Sequence, residues 1–178
     1  MNSVNYIVSV AQELLRKHQT RDPYELCDHI NIRVWRRDLG RNLKAFYFTQ
    51  SRVRHIAINS RIESHTMQSV LIAHEIGHDQ LHRNIAGSDT FNEYLMFNNN
   101  SPLEYEANLF AAELLISDKD FFTQYGCDKT IYDMAKELHV PAELLSFKFR
   151  LLEKKGHNVK IPLATNGDFL RQMTGEFS

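Results

Sequence analysis

At 178 residues, with 43% hydrophobic and 24% charged side chains, the chain has the composition of an ordinary globular protein of one domain. Its 21 basic and 22 acidic side chains leave a formal net charge of −1, which excludes a global field able to hold nucleic acid or an anionic membrane. No run approaches the ~20 apolar residues of a membrane span, and the start, "MNSVNYIVSVAQELLRKHQ", has no cationic head followed by a long apolar core, so a cytoplasmic protein is expected.

In chain order, Ile7, Val10, Ala11, Leu14 and Leu15 recur at three-and-four spacing and predict an amphipathic helix over about Val4 to His18. "RDPYELCDHI" opens a second, short helix. The period then shortens to two. Ile30, Ile32 and Val34 alternate with polar residues, "KAFYFTQ" is aromatic-rich, and "VRHIAINS" alternates again. These are three short strands, expected to be antiparallel because the links between them are short.

Ser60 with Glu63 reads as a capping box, and Met67, Val70, Leu71 and Leu81 follow at helical spacing, so a helix is expected from about Arg61 to His82. The stretch from Asn84 to Ser101, rich in Asn, Ser and Gly, is long enough to predict a functional or mobile loop. Ser101-Pro102 then starts another helix, "PLEYEANLFAAELLI". From Asp118 the pattern stays helical, and "KTIYDMAKELHVPAELLSFKFRLLEK" reads as a helix, a turn at Val140-Pro141, and a helix. The expected organisation is a core over residues 1–120, a helix-turn-helix-like region over 121–160 and a tail over 161–178. Cys27 and Cys127 lack C-x-x-C spacing and read as buried free thiols rather than a disulfide or a thiolate metal site.

Within the long middle helix lies "IAHEIGHDQLH", residues 72–82. Residues four apart on a helix are rotated by only about 40° and separated by about one turn of 5.4 Å, so His74 and His78 can point at one ion. Zn²⁺ takes imidazole nitrogens at about 2.0–2.1 Å, and a catalytic site uses three protein ligands with the fourth position left for water. Glu75, about 100° around from His74, is placed to reach that water as a general base rather than to join the ligands. With the His and Glu content of this chain, chance matches to H-E-x-x-H number only ~0.03, so accident is a poor explanation. Gly77, at about 1 kcal/mol less favourable in a helix than Ala, predicts close packing of another backbone or a substrate chain. His82 lies about 12 Å up the axis from His74, too far for the same ion, and is expected behind the ligands or at the surface. Position 84, where a longer three-histidine motif would end, holds Asn84.

A third ligand is sought on the next helix, where Glu104 and Glu106 are about 200° apart, so only one can face the metal. Glu104 shares its side with Asn108, Ala111 and Leu115, small or apolar groups suited to a buried site. Glu106 shares its side with Glu113 and Ser117, which look solvated. Glu104 is therefore preferred, although it also fits a capping role after Ser101, and Glu106 stays as the alternative ligand. Asn108, one turn on, suits a group that orients a ligand histidine.

"AHEIGHDQLH" followed by "EYEANLFAAELLIS" resembles the ImmA/IrrE metallopeptidases, and the order of strands and helices over residues 4 to 155 is similar to theirs. The resemblance implies an α+β, thermolysin-like minimal peptidase core. In it His74, His78 and Glu104 hold Zn²⁺, Glu75 is the base and Asn108 stands behind the ligands. It implies a protein substrate, a helix-turn-helix repressor of a mobile element or stress regulon, whose cleavage releases transcription. No motif marks the oxyanion-stabilising group, for which Tyr94, His55 and His157 are candidates. In zinc peptidases of this plan an extended substrate adds to a sheet edge, for which "VRHIAINS" is the natural strand.

Two other functions compete with this one. Ala135, Leu138, Val140 and Leu145 have the spacing of a helix-turn-helix core, yet "PAELLSFK" offers a glutamate and apolar groups where base-reading Arg or Asn would stand, so direct DNA binding is not favoured. The arginine-rich stretch from Arg33 to Arg54 suits a solvated strand face or an acidic partner. A metal-stabilised regulator that binds a repressor or DNA without cleaving it would use the same histidines.

Overall fold

The computed structural model describes residues 2–83, 101–126 and 129–162. Helix α1, Val4–His18, is capped by Ser3, whose side chain accepts from the Tyr6 amide, and buries Ile7, Ala11 and Leu14. Helix α2, Pro23–His29, starts at Asp22, which accepts from the Tyr24 and Glu25 amides, with Pro23 at the first helical position. Strands β1 (Ile32–Arg37), β2 (Ala45–Gln50) and β3 (Val53–Asn59) form one sheet in the order β1-β3-β2.

The sheet is mixed, not antiparallel throughout. β2 and β3 form a hairpin across Ser51 and Arg52, both at positive φ as a two-residue turn demands, but β1 pairs with β3 in parallel. The reason lies in burial. Every residue from His55 to Asn59 is buried, whereas β1 carries three arginines and both β1 and β2 expose their far ends, so the strand buried furthest along its length takes the centre and the partly exposed ones the edges. The β1–β2 link therefore crosses the end of β3, where the Asn59 side chain donates to the Gly40 and Leu43 carbonyls at 2.8 and 2.7 Å. A second expectation changes with this one: β3 is paired on both sides and cannot receive an added strand, while β2 is an edge strand.

Helix α3, His65–Leu81, begins four residues later than its sequence suggests. Ser64, not Ser60, is its cap and accepts from the Met67 amide at 3.3 Å. Ser60 is spent on finishing the sheet, its amide donating to the Arg37 carbonyl at 2.7 Å. From Val70 to Asp79 α3 is buried all round, between the sheet on one side and α4, Pro102–Leu115, on the other. Gly77 permits that second contact. A Cβ there would lie 3.1 Å from Ala107 Cα, so the expected close backbone is that of α4. At the far end of α3 the buried Asp79 accepts from Tyr47 of β2 at 2.8 Å and from Arg54 of β3 at 2.9 Å, tying helix to sheet.

Three helices follow, α5 (Asp118–Gln124), α6 (Ile131–Glu137) and α7 (Ala142–Lys154). Their buried side chains, among them Phe121, Ile131, Leu144 and Phe149, join one hydrophobic core with those of α1, α3, α4 and the sheet. Among the described residues, seven helices and a three-stranded sheet make an α+β fold. Cys27 is free and buried, and burial pushes its thiol up to about 12, far from a reactive thiolate. The expected loop up to Asn100, with Tyr94, and Cys127 lie outside the described residues, as does the tail beyond 162. Among the described residues no helix is long and apolar enough to cross a membrane.

Candidate metal centre

Helices α3 and α4 supply the site, and their close approach at Gly77 brings it together. His74 and His78, one turn apart on α3, are both fully buried. Their Nε2 atoms stand 3.0 Å apart. Glu104, in the first turn of α4, reaches His74 Nε2 with one carboxylate oxygen at 3.2 Å and His78 Nε2 with the other at 3.4 Å. The three donor atoms lie within 4.8 Å of one another. Ligands about 2.05 Å from a tetrahedral ion are about 3.3 Å apart, so these spacings fit a single small cation. Glu75, the next residue after His74, is also fully buried.

The other ring nitrogens of the two histidines are held differently. His74 Nδ1 faces Asn108 Oδ1 at 2.9 Å, an oxygen that can only accept, so His74 carries a proton on Nδ1 and its Nε2 is the nitrogen turned toward Glu104. His78 Nδ1 faces His82 Nδ1 at 3.1 Å, and His82 Nε2 faces Glu106 Oε2 at 3.0 Å. Glu106 in turn accepts from the backbone N–H and the side chain of Asn2, each at 2.6 Å.

The structure thus brings Glu104 to the two histidines and turns Glu106 away to His82. It also departs from one premise of the choice. The Glu106 side of α4 is not solvated: Glu106 is 1% exposed and Glu113 4%. Helix α1 covers that side, with Gln12 donating to Glu113 at 3.0 Å, and the lysines of α7 cover the rest. Burial alone pushes the Glu106 carboxyl up, but the hydrogen bonds from His82 and Asn2 outweigh it and hold it below the ordinary carboxylate range. Burial likewise pushes the His82 imidazole below its usual value despite Glu106, which keeps the pair as carboxylate and neutral ring.

Of the oxyanion candidates, His55 is buried on the sheet face turned away from Tyr47 and Ile56, where its Nδ1 accepts from the Trp35 indole at 2.8 Å. His157 is exposed beyond α7, its ring 5.1 Å from that of Phe122. Neither belongs to the histidine cluster. The contribution of Asn2 had no local signal in the sequence, because a residue ahead of α1 meets α4 only in the folded chain.

The profile of Peptidase_M78, the IrrE N-terminal-like domain, matches residues 27–150. Uncharacterized immunity region protein 2 of Bacillus phage phi105 is 35% identical over 142 residues, which cover 80% of this chain and 88% of the phage protein. Metallopeptidase ImmA of Bacillus subtilis strain 168 is 31% identical over 109 residues, 61% of this chain and 62% of that protein.

Proposed function

The chain belongs to the Peptidase_M78 family of IrrE N-terminal-like domains, and from that premise we propose that it is a zinc-dependent, thermolysin-like endopeptidase whose substrate is a helix-turn-helix repressor. The observation that carries the reading is the convergence of His74 Nε2, His78 Nε2 and the Glu104 carboxylate. Two imidazoles and a carboxylate are a donor set that suits zinc, with a fourth position for water or substrate. A zinc ion held there would lower the pKa of bound water and polarise the scissile carbonyl. Glu75 takes the proton from the attacking water and passes it to the leaving amine. Asn108 keeps the proton of His74 on Nδ1, so that its Nε2 presents a lone pair.

The repressor substrate has support from the phage relative, which is named for an immunity region. A direct role at DNA has less. Through the first two turns of α7, where base-reading side chains would stand, Glu143 is the exposed residue and Leu144 to Phe149 are buried in the core. An extended substrate has a place at β2, the edge strand joined to α3 through Tyr47 and Asp79.

The test is terminal-peptide mass spectrometry on cells expressing the wild type or Glu75→Gln. New protein ends inside a helix-turn-helix regulator are expected with the wild type alone. Loss of the base should lower cleavage by about 10²–10⁴-fold while zinc stays bound. Identical peptide ends in both, with zinc bound and a regulator co-purifying with each, would replace the peptidase with a non-cleaving, metal-stabilised regulator.

A further inference from the structure

His82 and Glu106 are not used by the chemistry above, yet both are buried one step behind it. Two facts bear on what they do. The first is direction. Glu106 as a carboxylate can only accept, so the His82 nitrogen facing it, Nε2, must carry the proton. A neutral ring carries one proton, so His82 Nδ1 is an acceptor, and the nitrogen facing it, His78 Nδ1, must be the donor. His78 Nε2 is then the nitrogen left for an ion, and it is turned toward His74 and Glu104. With His82 neutral, the hydrogen bonds run in one direction from the Glu106 carboxylate to His78.

The second fact is anchorage. Glu106 accepts from Asn2 through both oxygens, and Asn2 stands immediately ahead of the Ser3 cap of α1. The far end of the chain is therefore pinned by the N-terminal helix, not by α4 alone. His82 itself is no ligand, because both its nitrogens are engaged, one by His78 and one by Glu106.

We propose that His82 and Glu106 are positioning residues of the metal centre, a carboxylate–imidazole relay, anchored by Asn2, that holds His78 with its proton on Nδ1 and its Nε2 ready for the ion. The proposal rests on the reading of His74, His78 and Glu104 as ligands. It makes the two histidines unequal: His74 is set by a neutral carboxamide at one step, His78 by a carboxylate at two. It also couples the seating of α1 to metal affinity, because releasing Asn2 removes two of the three donors from Glu106.

Two measurements test it. Two-bond ¹⁵N–¹H correlation spectra of the metal-free wild type should show His78 protonated on Nδ1 and His82 on Nε2. A histidine that only fills space would not fix both tautomers. Zinc affinity, measured by competition with a chelator on variants whose metal-free thermal transition shows them folded, should fall about 10- to 100-fold in His82→Leu and Glu106→Gln. It should be largely restored in His82→Asn, whose carboxamide oxygen replaces Nδ1 as the acceptor for His78, and Asn2→Ala should show a smaller loss. Wild-type affinity in both His82→Leu and Glu106→Gln, or a His78 proton found on Nε2, overturns the relay. If the wild type binds no zinc, the metal reading itself falls. The tautomers then decide the relay alone, a proton on His78 Nδ1 keeping it and one on Nε2 ending it.

Discussion

Near the start of α4, Glu104 and Glu106 meet three imidazoles; near its end, Glu113 meets two ammonium groups. Lys148 and Lys155 each lie 2.8 Å from Glu113, and both also reach Asp118, at 2.5 and 3.1 Å. Both clusters are built around one helix about two turns apart, each on a buried glutamate, and both gather carboxylates. The difference is the permanence of the positive charge. A lysine brings its own, so two carboxylates and two ammonium groups close the account between themselves. An imidazole held neutral brings a lone pair instead, and His74, His78 and Glu104 turn three donor atoms toward one point. The first arrangement suits a structural tie among α4, α5 and α7, the second a place for a cation.

The contrast breaks most visibly at the matched end. Lys148→Met removes a buried charge and leaves Asp118 and Glu113 sharing Lys155, so we expect a loss of roughly 3 kcal/mol in urea denaturation. Burial pushes the Glu113 carboxyl up, and the lysines overturn that to hold it below its usual value. Its contribution is therefore present above its ordinary value of 4.5 and lost as pH falls through the lowered one, a dependence the variant should weaken. The stabilisation gained on adding zinc should be the same in variant and wild type. A loss below about 1 kcal/mol would reduce the tie to a surface contact, and a changed zinc increment would mean that the two ends of α4 are not independent.

How far each end could be read from the sequence follows from the range of its contacts. His74, Glu75 and His78 were legible because the helical repeat alone brings them together. The choice of Glu104 rested partly on its own neighbours Asn108 and Ala111, which are buried, and partly on a solvated Glu106 side that the fold instead covers. The burial of Glu106 and Glu113 was not, because what covers them is α1 and α7, distant in sequence. The sheet shows the same limit. Three strands were readable from alternation, but that β3 lies between β1 and β2 depends on which strand the core takes in. At the start of α3 two serines four residues apart could each cap a helix, and a sheet hydrogen bond, not propensity, decided for Ser64.

A smaller effect probes the imidazole end. Gly77→Ala adds about 1 kcal/mol of helix propensity to α3. The new Cβ, however, would stand 3.1 Å from Ala107 Cα and 3.3 Å from its carbonyl oxygen, backbone atoms that cannot swing aside. The helices must part by a few tenths of an ångström, at an overpacking cost of about 1–3 kcal/mol. We expect a net destabilisation near 1 kcal/mol and weaker zinc binding, since Glu104 and Asn108 flank Ala107 on α4. A more stable variant with unchanged zinc affinity would show that the site does not depend on this approach.

The smallest effect checks the premise that buried rings here are neutral, at an imidazole remote from the cluster. His55 accepts from the indole of Trp35, the one tryptophan of the chain, so indole fluorescence reports its protonation. Burial, and then the nearby Arg33, push the His55 pKa below its ordinary value of 6.5. A base whose folded pKa is lowered binds its proton more readily when unfolded. Stability from the neutral ring is therefore complete above 6.5 and lost as pH falls from there toward the folded value. The fluorescence titration should accordingly have its midpoint below 6.5, as the proton on Nδ1 displaces the indole N–H. In His55→Asn, whose carboxamide oxygen can keep the indole bond at every pH, the transition should vanish. A midpoint at or above 6.5 would mean that this sheet face stabilises the charged ring, and burial could then no longer be taken to keep imidazoles neutral elsewhere in the fold.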